Sequence, residues 1–172
     1  MSVIGIDLAG KPKNPSGIAV LNDNTIVKEV YTDIEIMRVI EEYKPKVIAI
    51  DAPFSLPKDG MWRPSDYELR SEGYSVLSPK FPTMQMLVRR AMELVKTLRK
   101  KYKVIEVFPR ATEEILALDK ITVERKLDRI ITKDEYDAFL CALTANAYLE
   151  KKVRILGSAV DINDQIVVPE KE

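Results

Sequence analysis

Five acidic positions in this chain stand where a carboxylate is costly to keep: Asp7 closes V-I-G-I-D, Asp51 closes V-I-A-I-D, Glu106 lies near the end of V-I-E-V-F, and Asp134 and Asp137 open D-E-Y-D-A-F-L-C-A-L. A carboxylate at a buried strand end is unfavourable unless something cationic meets it. With no histidine and a single cysteine, Cys141, the chain lacks the common ligands of soft and borderline metals, and an internal disulfide is excluded. Any metal must bind to oxygen. Converging carboxylates suit the hard cations Mg2+ or Mn2+, which prefer oxygen ligands and retain waters. Two such ions can activate a water and stabilise the leaving oxygen in phosphodiester cleavage, so no histidine base is required.

The elements that must position these acids are legible from patterning. Val3 to Asp7 is apolar on both faces, as a central strand requires, and Asp7 falls where it runs out into a turn. Gly17–Leu21 and Ile26–Tyr31 read as a hairpin around Asn22-Asp23-Asn24. Thr32 with Glu35 has capping-box spacing, and Ile36, Val39, Ile40 and Tyr43 recur with helical period as far as Pro45. Val47–Asp51 is an unalternating strand suited to burial in a parallel sheet. Leu87, Ala91, Leu94, Val95 and Leu98 form the buried stripe of a second helix. Strand Val104–Phe108 follows, then a helical region from Ala111 to about Ile131 that breaks near Lys120. Thr132 with Glu135 repeats the capping box and opens a helix to about Lys151. Val153–Leu156 and Gln165–Val168 read as a short terminal hairpin.

The chain of 172 residues is read as one domain, 1–172, with a long loop insertion at about 52–82 in which periodicity fails. Lys plus Arg number 27 against 27 Asp plus Glu, so nothing global attracts the protein to nucleic acid or membrane. No apolar run is long enough to span a bilayer and the N-terminus has no signal-like pattern, which gives the expectation of a soluble cytoplasmic protein. High charge, ten prolines and few amides are the composition of a thermophile.

Each acid also has a plain structural reading. An Asp after a strand caps a turn or the next helix, a strand glutamate shortly before Pro109 faces solvent, and Asp134 is a first-turn acid favoured by the helix dipole. Asp137 resists that treatment. It shares a helix face with Leu140, Cys141, Thr144 and Tyr148, so its carboxylate points at the core.

Taken together, G-I-D-L-A-G, A-I-D-A-P-F, the order β-β-β-α-β and the D-E-Y-D-A helix resemble the ribonuclease H-like superfamily, and the D-x-x-D-A helix looks like that of its Holliday-junction resolvase branch. A-I-D-A-P-F-S-L-P, the R-x-x-D of Arg63 to Asp66, E-V-F-P and D-x-x-D-A together resemble domain-of-unknown-function family 429, described as predicted nucleases. The resemblance implies an α/β, ribonuclease H-like fold (β-β-β-α-β-α-β-α) with a five-stranded mixed sheet whose second strand is antiparallel. It also implies metal ligands at Asp7, Asp51 and Asp137, with Glu106 and Asp134 as additions. Asp51 stands where the resolvase branch usually has glutamate. Asp7, Asp51, Asp134 and Asp137 are thus the expected catalytic set, Mg2+ or Mn2+ the cofactor, and nucleic acid the partner. The same superfamily fold hosts sugar kinases and actin-like ATPases, which leaves a nucleotide-binding phosphotransferase as an alternative; a non-catalytic binding protein retaining the acidic cluster is another.

Substrate contact is expected from the 52–82 segment, through Trp62 and Arg63, and from the helix stripe Arg89, Lys96 and Lys100. Aromatic rings in the loop could stack on unpaired bases, pack the loop down, or form a homodimer interface. The basic stripe is equally a solvated face.

Overall fold

The computed structural model describes residues 1–171. Strands β1 (Val3–Asp7), β2 (Ser16–Leu21) and β3 (Thr25–Val30) are followed by helix α1 (Asp33–Tyr43) and strand β4 (Val47–Asp51). Helices α2 (Pro64–Ser71) and α3 (Gln85–Leu98) lead to β5 (Lys103–Val107). Three helices, α4 (Pro109–Ile115), α5 (Lys120–Leu127) and α6 (Lys133–Leu149), precede the hairpin β6 (Val153–Gly157) and β7 (Gln165–Pro169). The fold is mixed α/β, and no helix among the described residues is long and apolar enough to cross a membrane.

The sheet has seven strands, in the order β3-β2-β1-β4-β5-β7-β6, not the five expected. The terminal hairpin is the reason. Instead of standing apart, β7 adds parallel to β5 and β6 pairs antiparallel with β7, covering an edge that would otherwise be open. The second strand is antiparallel to the first, as expected, while β1, β4, β5 and β7 are parallel.

Local chemistry sets the helix ends. At α1 the Thr32 hydroxyl accepts from the Glu35 N–H at 3.2 Å and the Glu35 carboxylate accepts from the Thr32 N–H at 2.8 Å; Thr132 and Glu135 repeat the exchange at α6. The predicted break near Lys120 is the gap between α4 and α5, where the Asp119 side chain caps the second helix. Segment 52–82 is less irregular than its sequence: Pro64 starts α2 at its first position, and Asp66 accepts from the Arg63 N–H at 2.9 Å.

Pleating divides the core. Ile4, Ile6, Ile48, Ile50 and Val104 face α1 and α3, whereas Val3, Val47, Ala49, Ile105 and Val107 face α6. Because side chains alternate strictly along a strand, Asp7 and Asp51 continue the α6 face. Glu106, between Ile105 and Val107, points to the other.

Candidate active site

The register places Asp7 directly beside Asp51 across the parallel pair β1–β4. Helix α6 brings the other two acids, and two glycines make that approach feasible. A Cβ at Gly5 would sit 2.1 Å from the Ala138 carbonyl oxygen, and one at Gly17, the cross-strand partner of Asp7, would sit 1.9 Å from the Asp134 carbonyl oxygen. Helix backbone therefore rests on strand backbone, and Asp134 and Asp137 reach the end of β1. Sequence reasoning passed over both glycines, although a glycine inside a strand signals close backbone approach.

Electrostatics shows how crowded this corner is. Burial, then the charges of Asp137 and Asp134, push Asp7 up to about 7. Asp51 is raised well above the usual carboxylate range by burial, Asp7 and Asp137. Asp134 is raised by burial and by Glu29, and its carboxyl beside Asp7 in turn raises Asp7. Among the described residues, Asp7, Asp51 and Asp134 enter no ion pair with Lys or Arg. Asp137 does: the Lys133 ammonium, one turn earlier on α6, bonds its carboxylate. Lys133 was absent from the expected site, yet it is the cation that acts on Asp7 and Asp51.

Glu106 belongs elsewhere. Its Oε1 accepts from Arg63 Nη2 at 2.6 Å, and its Oε2 accepts from Arg63 Nη1 and the Phe54 N–H, each at 2.9 Å. Arg63 also donates to both oxygens of Asp66, at 3.0 and 2.8 Å. All three side chains are buried, Arg63 at 2% exposure. Glu106 thus neither faces solvent nor offers an oxygen to a shared ligand, and Arg63 presents no exposed N–H to a substrate. The R-x-x-D spacing builds an internal ion triad.

The other expected contacts also fall away from the acids. Trp62 donates from Nε1 to the Val76 carbonyl at 3.3 Å, with the Arg70 guanidinium 4.2 Å over its ring and Tyr67 edge-on at 6.0 Å; it packs its segment down. Arg89, Lys96 and Lys100 are exposed, and α3 lies on the opposite face of the sheet from α6, with Arg89 near the end of α3 whose Leu87 lines a cavity beside Asp7. Lys96 sits in the last turn of α3 and Lys100 just beyond it, in the segment that leads into the start of β5. The exposed Lys11 and Lys13 lie in the turn joining β1 to β2, which follows directly on Asp7 in the chain.

A cavity of about 250 Å³ adjoins the strand ends, lined by Asp7 and Asp51, by the Arg63–Asp66–Glu106 triad, and by Leu69, Leu77, Leu87 and Phe108. A family model described as a protein of unknown function (DUF429) matches residues 5–121. The chain belongs to that family. The span matched to DUF429 holds Asp7, Asp51 and the Arg63–Asp66–Glu106 triad and ends before Asp134 and Asp137. No curated protein matches the chain.

The donor set fits a hard cation by chemistry, since every available ligand is a carboxylate oxygen. The side-chain placement is not a finished metal site: among the described residues no three acidic or cysteine side chains form a metal-holding group.

Proposed function

We propose that the protein is a metal-dependent nuclease of ribonuclease H-like design, cleaving phosphodiester bonds of nucleic acid. The observation that carries this reading is the meeting of Asp7, Asp51, Asp134 and Asp137, from two parallel strands and a helix, where among the described residues Asp137 alone of the four enters an ion pair, with Lys133. An antiparallel β1–β2–β3 unit followed by parallel β4 and β5 supports the ribonuclease H-like assignment.

Asp7, Asp51, Asp134 and Asp137 would hold Mg2+ or Mn2+. Bound there, such ions supply an activated water and charge stabilisation at the leaving oxygen. The chain's own contribution is electrostatic and positional. Asp7, raised to about 7, would bind metal as the ionised carboxylate; Asp51 is fixed beside it by strand register, and α6 sets the spacing of the remaining pair. Glu106 stays outside the ligand set because its oxygens are committed to Arg63. The adjoining cavity, at about 250 Å³, has the size of a small-molecule pocket and not of a duplex groove, which favours unpaired strands or extruded nucleotides as substrates.

Calorimetric titration with Mn2+ tests the reading at its centre. Wild type is expected to take up the ion and Asp7→Asn to bind it at least about tenfold more weakly. Equal uptake by the two proteins would remove Asp7 from the site and the nuclease reading with it.

A further inference from the structure

We propose that Lys133 is a built-in counter-ion of the acidic corner, occupying the place of a divalent cation until the cation displaces it. The inference rests on the metal-site reading above and adds its regulation: the metal-free protein is self-neutralised, and the ion must compete with a tethered ammonium.

Helix physics alone does not account for a lysine here. Lys133 is the first residue of α6, where the positive end of the macrodipole disfavours a cation. Its partner Asp137 lies at i+4, C-terminal to it, the less favourable order for such a pair. Both rules are broken together, and the acids beyond the helix explain why. The same ammonium that bonds Asp137 also draws on Asp7 and Asp51, which come from strands and not from α6. Asp134, its neighbour in the first turn, adds to the negative field there, whereas Glu135 is paired with Arg129 at 2.6 Å.

Exposure makes the pair a gate instead of a lock. The Lys133 side chain is 81% exposed while that of Asp137 is 17% exposed. The lysine reaches in from solvent on a flexible stem and can withdraw without opening a void. Arg63 does the opposite in its triad, where both partners and the guanidinium are buried.

The test compares wild type, Lys133→Met and Lys133→Arg by Mn2+ calorimetry, and by thermal melts in chelator and in saturating Mn2+. Met keeps the stem and removes the charge. Lys133→Met is expected to bind Mn2+ about tenfold more tightly, equivalent to about 1.4 kcal/mol. It is also expected to melt below wild type in chelator, with the gap closing in Mn2+. Lys133→Arg should return both values toward wild type. Lys58→Met, which removes an exposed lysine paired with Asp161, controls for net charge and should leave Mn2+ affinity unchanged. Wild-type binding that Lys133→Met leaves equal or weakens overturns the inference and leaves the metal site standing. An equal gain in Lys58→Met overturns it too, as a bulk charge effect. Absence of Mn2+ binding in wild type and Lys133→Met alike overturns the metal reading and this inference together.

Discussion

Two groups of acids, one buried and one half-buried, stand near the carboxyl ends of the same strands, on opposite faces of the sheet, and they are treated oppositely. Glu106 and Asp66 share one guanidinium through four hydrogen bonds of 2.6 to 3.0 Å, and Glu106 has a backbone donor besides. Asp7 and Asp51 face further acids, with an exposed lysine as the nearest counter-charge. A closed network of this kind is a structural part, because every polar atom has a partner. An open one is a standing cost to stability, which a fold retains where binding or chemistry needs the charge. Burial of an acid therefore says little about its role; the identity of its cation says more.

The largest expected effect comes from opening the closed group. Arg63→Met leaves Glu106 and Asp66 buried without a counter-charge, and removing one partner of such a network costs about 3 to 5 kcal/mol. At roughly 2 to 4 °C per kcal/mol for a domain of this size, the melting temperature should fall by about 6 to 20 °C. A loss under about 1 kcal/mol in denaturant titration would show that the triad relaxes freely, and the contrast between the two faces would lose its basis.

Much of this contrast was within reach of the sequence and some was not. Asp7 and Asp51 were readable because each ends an unalternating apolar strand, and Asp137 because its helix neighbours are core residues. Glu106 needed one more step: counting alternation from Val104 and Ile105 sends it to the face away from α6, once α6 is known to be the helix over Val3 and Ala49. That helix assignment is a tertiary fact. Arg63 could not be placed from R-x-x-D alone, since its partner Glu106 is 43 residues away. The seventh and sixth strands were recognised as a hairpin, but their addition to the edge of β5 leaves no local trace.

A smaller effect of opposite sign is expected in the open group. Asp7 is raised to about 7 in the folded chain against about 3.9 when unfolded, so between these values the native state binds the extra proton. Metal-free stability should therefore fall as pH rises from about 4 to 7, by up to about 1.4 kcal/mol per pH unit for one group. Asp7→Asn should flatten that slope and raise the melting temperature in chelator at pH 7.5 by about 2 to 6 °C. Millimolar Mg2+ should reverse the ranking, because wild type gains binding free energy on the native side. Melts across pH with chelator decide it: stability that rises with pH in wild type means Asp7 is held ionised by a favourable partner.

The smallest effect separates the two candidate basic surfaces. If unpaired nucleic acid binds, Lys11→Ser with Lys13→Ser should reduce the slope of log affinity against log salt by about 1.4, roughly 0.7 for each phosphate that a lysine no longer neutralises. Lys96→Ser with Lys100→Ser should leave it unchanged, since those side chains lie on the far side of the sheet. Fluorescence anisotropy over a salt series gives both slopes, and a flattened slope in the second pair would move the substrate path to α3.

The seating of α6 on Gly5 and Gly17 carries a consequence for ion choice. Main chain lies on main chain there, with no side chain between to yield, so the helix cannot slide or tilt without lifting off the sheet. The separation between the strand acids and the helix acids is set by this hard stop, and side-chain rotation is the remaining adjustment. A larger cation such as Ca2+, with six to eight oxygens at about 2.3 to 2.6 Å, asks a site to widen, whereas Mg2+ draws its ligands in to about 2.0 to 2.1 Å in a strict octahedron. If the acids hold a divalent cation as proposed, two missing methyl groups act as a caliper, and Mn2+ or Mg2+ is expected to bind more tightly than Ca2+ in calorimetric titration.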